Sequence, residues 1–371
     1  MKVIWIIAVG LLAACAQAQN VNYTIQETVP GCNILDTFAI ANYSHPPACA
    51  TSGTCVNMTG KVVLITGAST GMGRASAERL AQAGATVVGT SRYPWLYHDV
   101  TTFQLWQLEY TSDDSVKQLV SRVGATYGKI DFLYLNAGRQ YVGEIANSDL
   151  RQVELTINSM VMGHLKVIQA ALPLMPKTGY ARILQTSSVE SQIGAPGYLP
   201  YTISKWAMQA MQEVWLTEHL GGKSNIIYSS ILPGTVNSSL PQKAVYGCPE
   251  LYNSQAAQPW YNSYTGSMVL QPEQIGEAVY QIAIDPQPRL RYLAMNDQQY
   301  ATLIPVWCRR QRLPMEQWYD MAAPEEQAWF QGEWTENTQL NCSAHCNGTE
   351  FCGAAPMGEQ YTGTYTIGPY K

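Results

Sequence analysis

Charge is scarce in this chain. Only 13% of its 371 residues are Asp, Glu, Lys or Arg, and the balance is a mild −5. No basic patch or stripe runs through it, which removes the usual electrostatic footprint of a nucleic-acid binder. Phenylalanine is rare as well, with 5 residues against 23 Tyr and 10 Trp. The aromatic content is therefore mostly amphipathic, a composition suited to clefts and interfaces. The longest apolar run, Val3 to Cys15, falls short of the ~20 residues needed to span a bilayer. Cysteine is missing from residues 56 to 247, and internal repeats and long low-complexity tracts are missing throughout.

What is present at the ends points to export. One positive residue, Lys2, precedes the apolar run, and Ala16-Gln17-Ala18 follows it as a small-x-small site. This layout predicts a signal peptide over 1–18 and a secreted or secretory-lumen protein. Leu12-Ala13-Ala14-Cys15 also fits the lipobox of a bacterial lipoprotein anchored at Cys15, and that alternative stays open. Without Cys15, eight cysteines remain: Cys32, Cys49, Cys55, Cys248, Cys308, Cys342, Cys346 and Cys352. An oxidising compartment permits disulfides, and eight cysteines allow 105 pairings. Cys342, Cys346 and Cys352 with His345 also have metal-like spacing, but export favours disulfides and no metal is expected. Asn-x-Ser/Thr sequons at Asn22, Asn42, Asn57, Asn237, Asn341 and Asn347 suit a glycosylated surface if the source is a eukaryote.

Between the ends the pattern changes. "KVVLITG" is a short apolar run closed by glycine, a buried strand, and "GMGRASAERLAQAG" carries helical periodicity. "ATVVGTS" and "FQLWQLEY" follow as strands, "DDSVKQLVSRVGATYG" as a helix and "KIDFLYLNAG" as a strand. A long helical region is expected from about Asp149 to Leu174. After it come "ARILQTSS" (strand), "YTISKWAMQAMQEVWLTEHLG" (helix), "NIIYSSILPG" (strand), "PEQIGEAVYQIAI" (helix) and "RLRYLAM" (strand). This alternation predicts an α/β fold, a Rossmann-like doubly wound parallel sheet. The expected layout is a single catalytic domain over 59–300. Disulfide-tied extensions flank it, N-terminal at 19–58 and C-terminal at 301–371.

The joint between first strand and first helix reads "TGASTGMG", Thr66 to Gly73. Glycines at 67, 71 and 73 let the backbone turn tightly and approach a diphosphate, and the helix that follows offers free N–H groups and a positive dipole end. The turn assigns Gly67, Ser69, Thr70, Gly71, Met72 and Gly73 to cofactor binding. Its Gly-x3-Gly-x-Gly spacing resembles that of the short-chain dehydrogenase/reductase family, and the resemblance extends over roughly 60–300. The family's Asn-Ala-Gly element matches Asn136, Ala137 and Gly138. Its Pro-Gly segment, which touches the nicotinamide end in the family, matches Pro233 and Gly234, with Thr235 and Val236 following. A dinucleotide fold choosing NAD usually carries an acid at the end of the second strand. Here that strand ends "GTSRYP", and Arg92 is placed to meet a 2′-phosphate. NADP(H) is the expected cofactor, with NAD(H) second.

The resemblance also implies a catalytic tetrad of Asn158, Ser188, Tyr201 and Lys205. Tyr201 and Lys205 share a helix face at i, i+4. The ammonium of Lys205 is expected to favour the Tyr201 phenolate and, as in the family, to hold the nicotinamide ribose. Tyr201 would give or take the proton of a substrate oxygen that Ser188 orients, while Asn158 anchors a water in a relay behind the lysine. Ser187 neighbours Ser188, but the family spacing selects Ser188. The implied activity is NADP(H)-dependent interconversion of a carbonyl and an alcohol on an apolar small molecule. "DPQPRLRYLAM" resembles the hydroxysteroid and retinol dehydrogenase branch. A long aromatic segment after Pro233-Gly234, with Tyr246, Tyr252, Trp260, Tyr261 and Tyr264, stands where the family closes over substrate. Glu190 is unusual beside Ser188, where the family commonly has a small residue. Because family members often pair through the helices carrying Asn158 and Tyr201, a homo-oligomer is an expected partner alongside the small-molecule substrate. A second reading is a secreted, non-catalytic binding or structural protein on the same fold.

Overall fold

The buried strands of the domain are short and mostly apolar. The structure, a computed structural model, describes residues 39–40 and 48–299, except 144, 193, 195–196, 220–223, 241–242, 248–268 and 297–298. The expected signal peptide, the C-terminal extension, six of the eight remaining cysteines and most of the aromatic segment after Gly234 lie outside the described residues.

Among the described residues there are ten strands: β1 (Ala39–Ile40), β2 (Val62–Thr66), β3 (Thr86–Ser91), β4 (Gln104–Gln107), β5 (Phe132–Leu135), β6 (Tyr141–Val142), β7 (Ala181–Thr186), β8 (Ile226–Pro233), β9 (Val245–Tyr246) and β10 (Arg291–Ala294). Eight of them form one parallel sheet in the order β1-β10-β8-β7-β5-β2-β3-β4. Seven of these strands were legible in sequence. The two-residue edge strand β1 and the small β6–β9 pair are too short to leave a periodicity.

Every residue of β2 is buried, as a parallel sheet covered on both faces requires. Its side chains alternate between two cores. Val63 and Ile65 join Ala77, Leu80, Ile275, Val279 and Ile282 on one face. Val62 and Leu64 join Val116, Leu119, Val123, Val167 and Ile168 on the other. The first layer comes from α2 (Gly71–Gln82) and α7 (Pro272–Ile284). They approach closely because Gly276 has no side chain, and a Cβ there would stand 2.8 Å from the backbone of Ala75. The second layer comes from α3 (Asp113–Tyr127) and α5 (Gly163–Ala171). Ser112 caps α3, its hydroxyl accepting from the Ser115 N–H, and Gly128 ends the helix in the left-handed conformation.

The N-terminal approach to the domain is tied down. α1 (Ala48–Ser52) leads into a loop closed by a Cys49–Cys55 disulfide, and the Val56 N–H donates to the Ile284 carbonyl at 2.8 Å. The long helical region is interrupted at the functional position. α4 (Leu150–Ile157) runs into a π-helical turn over Asn158–Met162, and α5 continues from it. π turns widen a helix by one residue and recur at functional sites. α6 (Leu199–Glu218) packs against α4, the π turn and β8. No helix among the described residues is long and apolar enough to cross a membrane.

Candidate active site

Strand order fixes where a site forms. The chain moves outward from β2 through β3 and β4, then returns to β5 on the other side of β2. The carboxyl ends of β2 and β5 therefore flank a topological switch point, the usual ligand crevice of such sheets. The glycine turn leaves β2 there, and Asn136-Ala137-Gly138 leaves β5.

The two are held together by short hydrogen bonds. Thr66 Oγ1 accepts from the backbone N–H of Asn136 and of Ala137, both at 3.0 Å. The Asn136 carboxamide donates to the Gly67 carbonyl at 3.0 Å, and the Gly67 N–H reaches Thr90 Oγ1 at 3.3 Å. Gly67 has φ +68°, and a Cβ on it would lie 2.8 Å from the Ala137 Cα, so both conformation and space demand glycine. Gly73 is excluded from substitution by space alone: a Cβ would overlap the Gly67 carbonyl and the Asn136 carboxamide.

α2 begins at Gly71 without a side-chain cap. Thr70 turns its hydroxyl to Ser239 Oγ instead, at 3.2 Å. The first N–H groups of α2 are thus left for an outside acceptor, which fits the diphosphate of a dinucleotide. Arg92 directly follows β3 and is exposed, with its guanidinium 5.7 Å from the Tyr93 ring centroid. Pro233 ends β8, and the Gly234 N–H bonds the Ala294 carbonyl at 2.9 Å. The Thr235 carbonyl accepts from the Leu270 N–H at 3.0 Å, and Val236 is buried.

On the other side of the crevice, Ser188 lies two residues past β7, buried and extended (φ −165°). Its hydroxyl accepts from the Glu190 N–H at 3.1 Å and lies beside the Tyr201 hydroxyl. Ser187 is occupied elsewhere, donating to the Lys205 carbonyl at 3.3 Å. That contact separates the two serines as the spacing did. Tyr198 meets Tyr201 edge-on, with ring centroids 6.5 Å apart.

Lys205 is buried and donates from Nζ to the Thr186 carbonyl at 2.6 Å. The ammonium lies 5.2 Å from the Tyr201 ring centroid. The tie continues to the cofactor side, because Thr186 Oγ1 also reaches Asn136 Oδ1 at 3.2 Å and Tyr134 OH at 2.8 Å. A hydrogen-bonded path thus joins Lys205 to the glycine turn through Thr186 and Asn136.

One expectation needs correction. The ammonium was expected to draw the Tyr201 phenol toward ionisation. In the structure the phenol stands well above the usual tyrosine range. Burial is the main push, the negative charge of Glu190 adds to it, and only the nearby Ser188 hydroxyl opposes it. Lys205 is not among the charges that act on the phenol, and its Nζ is directed at the Thr186 carbonyl. Burial also brings Lys205 itself down to about 7.

Asn158 closes α4 and opens the π turn, and its carboxamide has no hydrogen-bond partner among the described residues. Six residues on, at the start of α5, is a residue that pattern reading missed. His164 is 1% exposed and bonds through Nε2 to the Ala137 carbonyl at 2.9 Å. Its Nδ1 has no partner among the described residues. Burial first, then the charge of Lys205, pulls the imidazole down to about 3, so it is neutral at physiological pH. Thr66, Thr90 and Thr186 were also missed. Their only sequence signal is position, each standing at or beside the carboxyl end of a strand.

Comparison with known proteins bears on this arrangement. The family model described as short chain dehydrogenase matches residues 61–246, half of the chain. The chain belongs to the short-chain dehydrogenase/reductase family. It is an oxidoreductase by that membership, on a fold that binds a nicotinamide cofactor. Among relatives, a 3-ketodihydrosphingosine reductase of Bacteroides thetaiotaomicron is 30% identical over 158 residues, covering 43% of this chain and 58% of that protein. A 3-oxoacyl-[acyl-carrier-protein] reductase of Thermotoga maritima is 30% identical over 204 residues, covering 51% of this chain and 79% of that one. A short-chain dehydrogenase structure from Streptomyces avermitilis superposes with TM-score 0.60 at 24% identity, over 70% of this chain and 96% of that one. The last likeness is one of fold.

Proposed function

We propose that the protein is an NADP(H)-dependent oxidoreductase that interconverts a ketone and a secondary alcohol on a largely apolar small molecule. The observation that carries the reading is the Ser188–Tyr201 hydroxyl pair at the crevice rim, with buried Lys205 one turn behind Tyr201. The cofactor, when bound, supplies or accepts the hydride. Ser188 positions the substrate oxygen with a hydrogen bond, and Tyr201 holds the proton that this oxygen gains or loses. Lys205 and Asn158 would support the cofactor ribose and a proton path behind it. At neutral pH Tyr201 is a phenol, which can pass its proton to a carbonyl oxygen in the reducing direction. The keto- and oxo-reductase names of the two relatives lean the same way.

NADP(H) is favoured over NAD(H) because Arg92, and no acid, follows β3. The resemblance of "DPQPRLRYLAM" to hydroxysteroid and retinol dehydrogenases leans toward a bulky apolar substrate. Export is supported by the N-terminal apolar run, the exposed sequon at Asn57 and the Cys49–Cys55 disulfide. Self-association is supported by exposed apolar residues on the two helices near the site, Leu150 and Leu155 on α4 and Ile203 and Val214 on α6.

The test is reduction of a panel of ketones with NADPH and with NADH by wild type and Tyr201→Phe. Wild type is expected to turn over with NADPH preferred, and Tyr201→Phe to lose on the order of 10²–10⁴-fold in kcat. Equal rates in the two proteins would remove Tyr201 from the mechanism. Absence of both cofactor binding and turnover in wild type would leave the non-catalytic reading.

A further inference from the structure

The buried imidazole of His164 has one nitrogen engaged and one bare. Nε2 lies 2.9 Å from the Ala137 carbonyl, and a carbonyl only accepts, so Nε2 carries the proton. A neutral imidazole has a single N–H, which leaves Nδ1 a lone pair. Nδ1 is buried and meets no donor among the described residues. Tyr110 stacks on the imidazole, with ring centroids 6.2 Å apart. Gly163 admits that ring, because a Cβ there would overlap it. A lone pair shut into the interior is disfavoured unless a donor reaches it. The surplus of donors is on Lys205. Its ammonium has three N–H groups, and the Thr186 carbonyl takes one. Among the described residues, Lys205 is the one charged side chain that acts on the imidazole. His164 is not a base for this lysine. Its Nε2 proton is held by a carbonyl, and a proton on Nδ1 would set a second cation near the first, away from water. What remains is a fixed acceptor.

We propose that His164 is a positioning residue, whose Nδ1 accepts a hydrogen bond from one bound water that itself accepts from the Lys205 ammonium. The water gives both buried groups a partner. Its effect is to stabilise the charged form of Lys205, which burial draws down to about 7. The kinetic consequence rests on the carbonyl-reductase reading, whereas the hydrogen bond at Nδ1 does not. Two variants separate this role from packing. Gln sets its carboxamide nitrogen where His Nε2 stands, so His164→Gln keeps a donor for Ala137 and removes the Nδ1 acceptor. Asn sets its carboxamide oxygen near the place of Nδ1, so His164→Asn keeps an acceptor and gives up the Ala137 bond.

In NADPH-dependent ketone reduction by the full chain, kcat is expected to fall as pH rises through the Lys205 titration. Loss of the acceptor weakens the ammonium, so this limb is expected about one pH unit lower in His164→Gln. In His164→Asn it is expected near wild type, although that variant melts at a lower temperature. A limb unmoved in His164→Gln, or moved equally in both variants, overturns the assignment. A second measurement needs neither turnover nor a variant. Nitrogen NMR of the wild-type chain, labelled at histidine, is expected to show at neutral pH a buried imidazole with a protonated Nε2 and a hydrogen-bonded Nδ1. A bare Nδ1 or a protonated Nδ1 overturns the assignment. The two readings fail separately. A hydrogen-bonded Nδ1 in a protein that turns over no carbonyl would sink the reductase and leave His164 standing. A bare Nδ1 in an active reductase would do the reverse.

Discussion

The two walls of the crevice are built on different principles. The cofactor wall, from the glycine turn to Asn136-Ala137-Gly138, is set by space: glycines where any side chain would collide, and one threonine hydroxyl holding two backbone N–H groups. The proton-transfer wall is set by charge and burial: a phenol pushed up, an ammonium at about 7, a neutral buried imidazole and a nearby carboxylate. Steric requirements are written in residue types and spacing. Electrostatic ones depend on what the fold packs around each group, so they emerge only in three dimensions.

The contrast can be broken most forcefully at Gly73. Gly73→Ala places a methyl against Gly67 and Asn136, and is expected to abolish cofactor binding and destabilise the fold by about 3 kcal/mol, as read by thermal melting and cofactor titration. Next, Tyr201→Phe should separate the walls, with the large loss of turnover given above but a melting temperature and cofactor affinity near wild type. Thr66→Val strands one buried and one half-buried N–H group without touching the proton-transfer wall. A loss of about 2–4 kcal/mol in urea unfolding is expected; a change under 1 kcal/mol would show that Thr66 does not hold the cofactor wall together.

His164 gives a pH test. Its folded titration lies near 3 against an ordinary value of about 6.5. Between those values the unfolded chain takes up a proton that the native state refuses, so stability rises with pH across this window and falls as pH drops through it. The slope from this one group approaches about 1.4 kcal/mol per pH unit. The difference between wild type and His164→Gln, followed by denaturant midpoint from pH 6.5 down to 4, should isolate it. Parallel curves would mean that the imidazole is already protonated in the fold. The smallest effect belongs far from both walls. Ser112→Ala removes the cap of α3 and should cost about 1 kcal/mol with kcat unchanged.

Most of the architecture was readable in advance. Val62–Thr66, Thr86–Ser91 and Ala181–Thr186 are compact apolar strands bounded by turn residues, and α2, α3 and α7 carry clear periodicity and stops. The π turn at Asn158 was not readable, because "INSMVMG" continues a helical pattern; in the fold the turn packs against α6. The site residues were legible as types, and the structure brings Ser188, Tyr201 and Lys205 to one place. Their protonation states were not legible. Tyr201 and Lys205 at i, i+4 suggest an ammonium beside a phenol, but Thr186 offers its carbonyl to that ammonium first, and sequence spacing has no means of showing a backbone acceptor from another strand.

β1 is only two residues long, yet it pairs with β10 at the border of the sheet. The disulfide-closed loop at Cys49–Cys55 holds the following segment against Ile284. A chain that starts after the Cys49–Cys55 loop would therefore uncover the outer backbone of β10, a row of unpaired N–H and C=O groups of the kind that recruits foreign strands. Such a trimmed protein is expected to precipitate or form ordered aggregates more readily than the longer one. The leading segment thus acts as a guard on solubility, whatever else it does.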